Sequence, residues 1–219
     1  KQRNIIFIVS LFFCSCIFIP YVIPFNDLPE PTGTFNVGTK IFEWIDTSRD
    51  EWFTIDSTDF RRLVVQAWYP TAEIDDKKYS YLDFPDKRIK PIAKRISLSP
   101  HLLKHVSDVK TNSILNASII DSENPYPLIL FSHGLGGMRM QNTIQMEELA
   151  SRGYFVVSVD HTFDANITVF LDGTTAEFNS YLDDNATEEE FWRVRLPQIE
   201  TRANDILFLI DRISKKKNN

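Results

Sequence analysis

Glycine is scarce in this chain, with 7 in 219 residues. Four of the seven fall between Gly134 and Gly153, which concentrates the freest backbone of the molecule in one short region. Cysteine is nearly absent. The two present, Cys14 and Cys16, are separated by one residue inside an N-terminal apolar segment, where they are poorly placed to bridge each other and have no partner downstream. The rest of the chain therefore relies on no disulfide and carries no mark of its redox compartment. Excess positive charge is missing too: a formal net charge of −6 removes the electrostatic reason to expect nucleic acid as a partner. Apolar side chains are not lacking. At 43% hydrophobic, with 17 Phe and 4 Trp, the chain can bury one sizeable core, so a single domain is the default.

The stretch KQRNIIFIVSLFFCSCIFIPYVIPF has a basic head, Lys1 and Arg3, followed by about twenty mostly apolar residues, roughly the length that crosses a bilayer as a helix. Residues 1–25 are expected to be a transmembrane anchor or a signal segment, with no A-x-A-like cleavage site after them. Positive charge before the segment and Asp27 and Glu30 after it place the domain outside the cytoplasm, anchored, or secreted if the segment is cleaved. Residues 26–38, rich in Pro and Gly, read as a linker and lead-in loop, and residues 39–219 as the domain.

Within that domain, WFTID (52–56) and RRLVVQAWYP (61–70) look like an antiparallel pair across a polar turn, with Pro70 closing the second strand. Residues 71–124 read as a polar surface excursion. Its basic residues Lys87, Arg88, Lys90, Lys94 and Arg95 form a solvated face, or else a patch touching anionic lipid. YPLILFSHG and YFVVSVDH are short apolar runs of the buried parallel-strand type, joined by a helix. Asn142 and Gln145 suggest its capping box, and Gly153 its C′ residue. TVFLDGTTAEF (168–178) reads as a hairpin with Asp172-Gly173 as a two-residue turn. Thr187 and Glu190 can cap a helix that meets Pro197. A second helix follows, with Ile199, Ala203, Ile206, Leu207, Ile210 and Ile213 on one face. Early antiparallel strands followed by a parallel sheet flanked by helices define the class as α/β.

The chemistry concentrates in SHGLGGMR, residues 132–139. A strand ends at Ser132, and glycines let the chain turn sharply and let a substrate oxygen approach the backbone. Amides there can point at a developing oxyanion, a role worth roughly 3 kcal/mol per donor in acyl transfer. A tight turn that merely packs on a helix is the plain alternative. Asp160, His161, His133 and Asp164 are ligand types for Zn or Fe, but their spacing is loose and no metal or cofactor is expected. His101 and His105 suggest an exposed turn, and Glu188 to Glu190 a charge cluster at a helix start. The aromatics at 42, 44, 52 and 53 are core residues or an interfacial patch. Asn116, Asn166 and Asn185 match the glycosylation pattern at the level of chance.

LPEPTGTFNVG, DTSRDEWF, RRLVVQAWYP, LILFSHGLGGMRMQ, LASRGYFVVSVDH and RLPQIETRANDILFLIDRI occur in that order, over about residues 28–213. This resembles the platelet-activating factor acetylhydrolase family, in its plasma-type (isoform II) and bacterial relatives. The resemblance implies an α/β-hydrolase fold and hydrolysis of carboxylic esters, typically short or oxidised acyl groups at the sn-2 position of phospholipids, through a Ser-His-Asp triad without metal. It also makes the Leu135 backbone N–H an oxyanion donor, with His133, Gly134, Gly136 and Gly137 shaping the loop. No G-x-S-x-G is present in the 219 residues. The nucleophile, acid and base of the triad are therefore expected outside this chain, and the chain, which opens on Lys1, is expected to be the silent N-terminal part of a longer enzyme. A general esterase, lipase or polyester hydrolase of the same fold, and a non-catalytic cell-surface binding module, stay open as alternatives.

Overall fold

Strand β2, Phe60–Thr71, has every residue from 63 to 71 buried, a pattern that only a strand covered on both faces produces. This computed structural model describes residues 5–6, 9–13, 27–56, 58–75, 78–179, 182 and 185–217. One five-stranded sheet, in the order β3-β1-β2-β5-β4, carries the domain. Strand β1 (Asn36–Asp50) pairs antiparallel with β2, and β2 pairs antiparallel with β5 (Phe155–Asp160). Strand β5 then pairs parallel with β4 (Leu128–Ser132), and β3 (Ile114–Leu115) adds two residues beside β1. Antiparallel strands first and a parallel pair after them are the arrangement expected.

Alternate residues of β2 serve opposite faces. Leu63, Val65, Ala67 and Tyr69 pack with Trp44, Val157, Val159 and Leu209, the last from helix α3, Glu188–Lys217. On the other face Trp68 packs with Val37, Val156 and Met146 and Ala150 of helix α2, Thr143–Ser151. Val64 lies under the hairpin β6–β7 (Ile167–Val169, Thr175–Glu177) through Phe170 and Ala176. Helix α1 (Pro85–Arg95) and a 3₁₀ helix (Pro100–Asp108) complete the excursion. In a 3₁₀ helix residues four apart diverge, so His101 and His105 do not share a face.

Several local expectations change. WFTID is a loop, not a strand; β2's partner is β1, and the hairpin closes at Asp50–Phe60 with Glu51 N–H donating to Asp59 O (2.8 Å). Strand β2 also runs through Pro70 to Thr71. The β6–β7 hairpin turns on three residues rather than two. Phe170 and Thr174 bracket the loop (2.9 Å), and Gly173, at φ 82°, takes the left-handed position. Asn142 starts α2 without a side-chain cap bond, because Gln141 and Met140 backbone turns deliver the chain instead. Gly153 is the C′ residue as expected: its N–H reaches Ala150 O (3.0 Å) and Tyr154 N–H reaches Leu149 O (3.2 Å), a Schellman end with φ 90° at the glycine.

Helix α3 is one helix of 30 residues that passes through Pro197. Thr187 and Glu190 close the expected capping box (2.8 and 3.3 Å), and Gln198, just past the proline, is anchored to Asp164 (3.2 Å). Both sides of the missing donor are therefore held. Its inner face is also rotated from the apolar stripe: Leu207 is 61% exposed and Ile199 54%, whereas Leu209 and Asp205 are fully buried. Ile206 and Ile213 alone of the six stripe residues pack on the core.

Within residues 28–38 several side chains and amides contact the domain. Leu28 is buried, Thr32 donates from N–H and Oγ1 to Glu148 (both 2.7 Å), and β1 already begins at Asn36. Most of the apolar segment 1–25 lies outside the described residues. Among those described, no helix is long and apolar enough to cross a membrane. Of the five basic excursion residues, Arg88 is not on the surface: it is fully buried against Asp83 (2.7 Å) and Ile167 O (2.8 Å). Trp44 is core, while Trp52 is half exposed with its ring tilted against Phe53.

Candidate active site

β4 and β5 run parallel and end together, so Ser132 and His161 emerge side by side from adjacent strand ends. The chain after Ser132 turns at once. Gly137 N–H bonds Gly134 O (2.8 Å) with Gly136 at φ 71°, the third position of a turn that requires positive φ. Two bonds tie this turn to the corner after β5: Gly136 N–H to Asp164 O (2.8 Å) and Asn166 N–H to Gly137 O (2.8 Å).

His133 sits under the turn, fully buried. Its Nδ1–H donates to Gly134 O (2.7 Å), and its Nε2 accepts the His161 main-chain N–H (3.1 Å). Both ring nitrogens are therefore satisfied in a neutral tautomer. Burial drives its pKa down to about 4, with nearby His161 and Arg202 adding to the fall and Asp160 opposing it. His133 thus shapes the loop and has no free nitrogen for proton transfer. The Leu135 carbonyl accepts from Arg95 (3.0 Å), whereas the Leu135 amide enters none of the backbone bonds that close the turn. Beside it, a side chain added at Gly134 would meet nothing within 4 Å, so the space over the loop is open.

A line of three side chains lies alongside. Ser132 Oγ is 2.9 Å from His161 Nε2, and His161 Nδ1 is 2.8 Å from Asp205 Oδ2. Asp205 also accepts from Arg61 through Nε (3.1 Å) and Nη2 (2.8 Å), and stands in ion-pair contact with Arg49 (3.0 Å). Burial works to raise the Asp205 pKa, but the His161 bond and the Arg61 charge outweigh it and hold the carboxyl below the usual carboxylate range. His161 is shifted down, burial exceeding the pull of Asp205. Arg61 reaches Glu51 (2.8 Å) and Thr162 O (3.0 Å) as well, so one buried guanidinium joins β2, the 51–59 loop, the β5 corner and α3. Arg202 of α3 donates to Ser132 Oγ (3.1 Å) and to His133 O.

Sequence reasoning placed His133, Gly134, Leu135, Gly136 and Gly137 in one loop, and they form one. It did not find Ser132, His161, Arg202 and Asp205 as a group. The signal was available in α3, where Gln198, Arg202, Asp205 and Leu209 recur at helical spacing as a mostly polar stripe, beside a longer apolar one. The four residues weighed as metal ligands are otherwise engaged. Asp160 holds Arg139 (2.7 and 2.6 Å), Asp164 accepts from Gln198, and both histidines bond as above. Among the described residues, no three His, Cys, Asp or Glu side chains are grouped to hold a metal ion.

The mixed sheet with helices on both faces, and a glycine turn following a parallel strand end, is that of an α/β-hydrolase. The chain belongs to the family of platelet-activating factor acetylhydrolase, isoform II, whose model matches residues 22–217. It is 27% identical over 200 residues to a probable 1-alkyl-2-acetylglycerophosphocholine esterase of Arthroderma benhamiae, covering 86% of this chain and 49% of the relative. It is 28% identical over 189 residues to platelet-activating factor acetylhydrolase of Canis lupus familiaris, covering 81% and 39%. Among solved structures, a ferulic acid esterase from Streptomyces cinnamoneus is similar at TM-score 0.65 and 28% identity, covering 86% of this chain and 49% of that one. The chain spans about half the length of these relatives, or less.

Proposed function

We propose that this chain forms the oxyanion half of a carboxylic-ester hydrolase acting on phospholipids with a short sn-2 acyl group. The observation that carries the reading is the Leu135 amide, left out of the turn's own hydrogen bonds and standing beside the open space over Gly134. An amide in that position can donate to the oxygen of a tetrahedral intermediate. Family membership supplies the ester chemistry. In this reading the elbow serine and its triad partners lie in a segment outside residues 1–219, which hold no G-x-S-x-G. Residues 5–25 hold the protein at a membrane in this reading, with the domain on the far side, which carbonate extraction of membranes and protease protection test directly.

A second reading is favoured by the likeness to a ferulic acid esterase, namely hydrolysis of uncharged esters. The protein, expressed from its complete reading frame, is assayed on 2-acetyl and 2-palmitoyl glycerophosphocholine and on an uncharged aryl ester. The expectation is preference for the acetyl phospholipid and a fall in kcat of about 100-fold or more in Leu135→Pro, which lacks the amide. Unaltered kinetics in Leu135→Pro rejects the oxyanion role, and preference for the aryl ester replaces the substrate.

A further inference from the structure

We propose that Arg202 is a positioning residue of the oxyanion turn, fixing the His133–Gly134 peptide plane so that the Leu135 amide keeps its aim. The inference rests on the reading above, in which Leu135 donates to a tetrahedral oxygen, and names the side chain that holds the donor in place.

A trans peptide is planar with its N–H directed opposite its C=O, so gripping a carbonyl aims the amide beyond it. The Leu135 N–H shares a plane with Gly134 O. That oxygen is held by His133 Nδ1–H (2.7 Å) and by Gly137 N–H (2.8 Å), which turns the Leu135 amide away from the His133 ring. The plane before it carries His133 O, and Arg202 donates to that oxygen. Gly134 is the joint between the two planes. It has no side chain, and a Cβ there would meet nothing within 4 Å, so its own packing cannot hold the joint. The grip on His133 O does.

Arg202 is itself held. Its Nη2 also donates to Ser132 Oγ (3.1 Å). Asp205 is a carboxylate between Arg49 and Arg61 and can only accept, so His161 donates to it from Nδ1 (2.8 Å). His161 Nε2 then accepts the Ser132 hydroxyl hydrogen (2.9 Å), which leaves the Oγ lone pairs for Arg202. Asp164 and Asp205 attract the guanidinium charge as well. One turn earlier on α3, Gln198 donates to the Asp164 side chain (3.2 Å), and the Asp164 main-chain oxygen receives Gly136 N–H (2.8 Å). Gln198, Arg202 and Asp205, spaced four and three residues apart, are thus one helix face that sets the turn and the corner beneath it.

The protein, expressed from its complete reading frame, is assayed with the ester it hydrolyses best, and amide hydrogen exchange is followed by NMR in parallel. In Arg202→Gln, kcat is expected to fall about 10-fold or more with KM within about 2-fold, because the donor is misaimed while substrate still binds. Leu135 exchange should quicken, and that of Val156–Val159 should not. Arg202→Lys, which keeps the charge and can reach His133 O, should recover most of the rate. Where Arg202→Gln does not fold, Ser132→Ala decides, since it removes one of the two acceptors that fix the guanidinium. There kcat should fall about 3-fold and Leu135 exchange should quicken. A raised KM with unchanged kcat in Arg202→Gln overturns the proposal, and so does unchanged Leu135 exchange in the folded variant. Exchange needs no turnover, so the two failures are separable. Unaltered kinetics in Leu135→Pro removes the oxyanion reading, whereas unaltered Leu135 exchange removes the role of Arg202 alone.

Discussion

The His161 main-chain N–H points at His133 Nε2 at 3.1 Å, so the backbone of one histidine sets the ring of the other. That ring then fixes Gly134 O at 2.7 Å. The glycine turn is thus held from below by β5 and is no longer a free loop.

This bond predicts a pH dependence. His133 is lowered from 6.5 to about 4 in the folded state, so between those values the unfolded chain binds more protons. Stability is full above about pH 6.5, falls as the pH drops through this window, and the His133 contribution is gone below about 4. The change is on the order of 3 kcal/mol. Urea unfolding at pH 7.5 and 4.5 is expected to show this slope, reduced but not abolished in His133→Gln, because His161 is shifted the same way.

Arg61 is a buried charge with two carboxylate partners, Asp205 and Glu51. Removing it in Arg61→Leu takes the guanidinium from Glu51 and leaves Asp205 with only His161 and Arg49, and is expected to lower stability by about 3–5 kcal/mol. A loss under 1 kcal/mol in equilibrium unfolding would refute the bridging role given to this side chain.

On α3, Leu209→Ala is expected to lose about 2–5 kcal/mol, since Leu209 is fully buried in the core. Leu207→Lys, at 61% exposure, is expected to stay within about 0.5 kcal/mol. The reverse order in thermal unfolding would restore the apolar stripe as the buried face.

Gly33 lies where an added Cβ would come 2.2 Å from the Ser151 carbonyl oxygen, a backbone atom that cannot swing away. Gly33→Ala is therefore expected to cost about 1–3 kcal/mol by pushing residues 28–38 off α2. Gly134→Ala, with open space, serves as the matched control in the same unfolding series.

What could be read in advance divides by the range of the interaction. The Schellman end at Gly153, the capping box at Thr187 and Glu190, and the turn through Gly136 are local, and each was legible from residues a few positions apart. β1 was not. Its partner lies across a hairpin, and residues 36–50 mix Lys, Glu, Asp and Arg among the apolar positions, so only the register with β2 makes them a strand. The inner face of α3 was misread because Gln198, Arg202 and Asp205 each find a partner 34 to 144 residues away. Ser132, His161 and Asp205 stand 29 and 44 residues apart, with no short motif joining them.

Among the described residues strand β4 is the last of the sheet, bonded to β5 on one side. A strand so placed offers its outer row of amides and carbonyls to whatever aligns with it. The last residue in that row is Ser132, from which the glycine turn hangs. Pairing of a further segment with β4 is expected to stiffen the turn that hangs from it. Slower amide exchange at Gly134 and Leu135 on such pairing is the signature to look for.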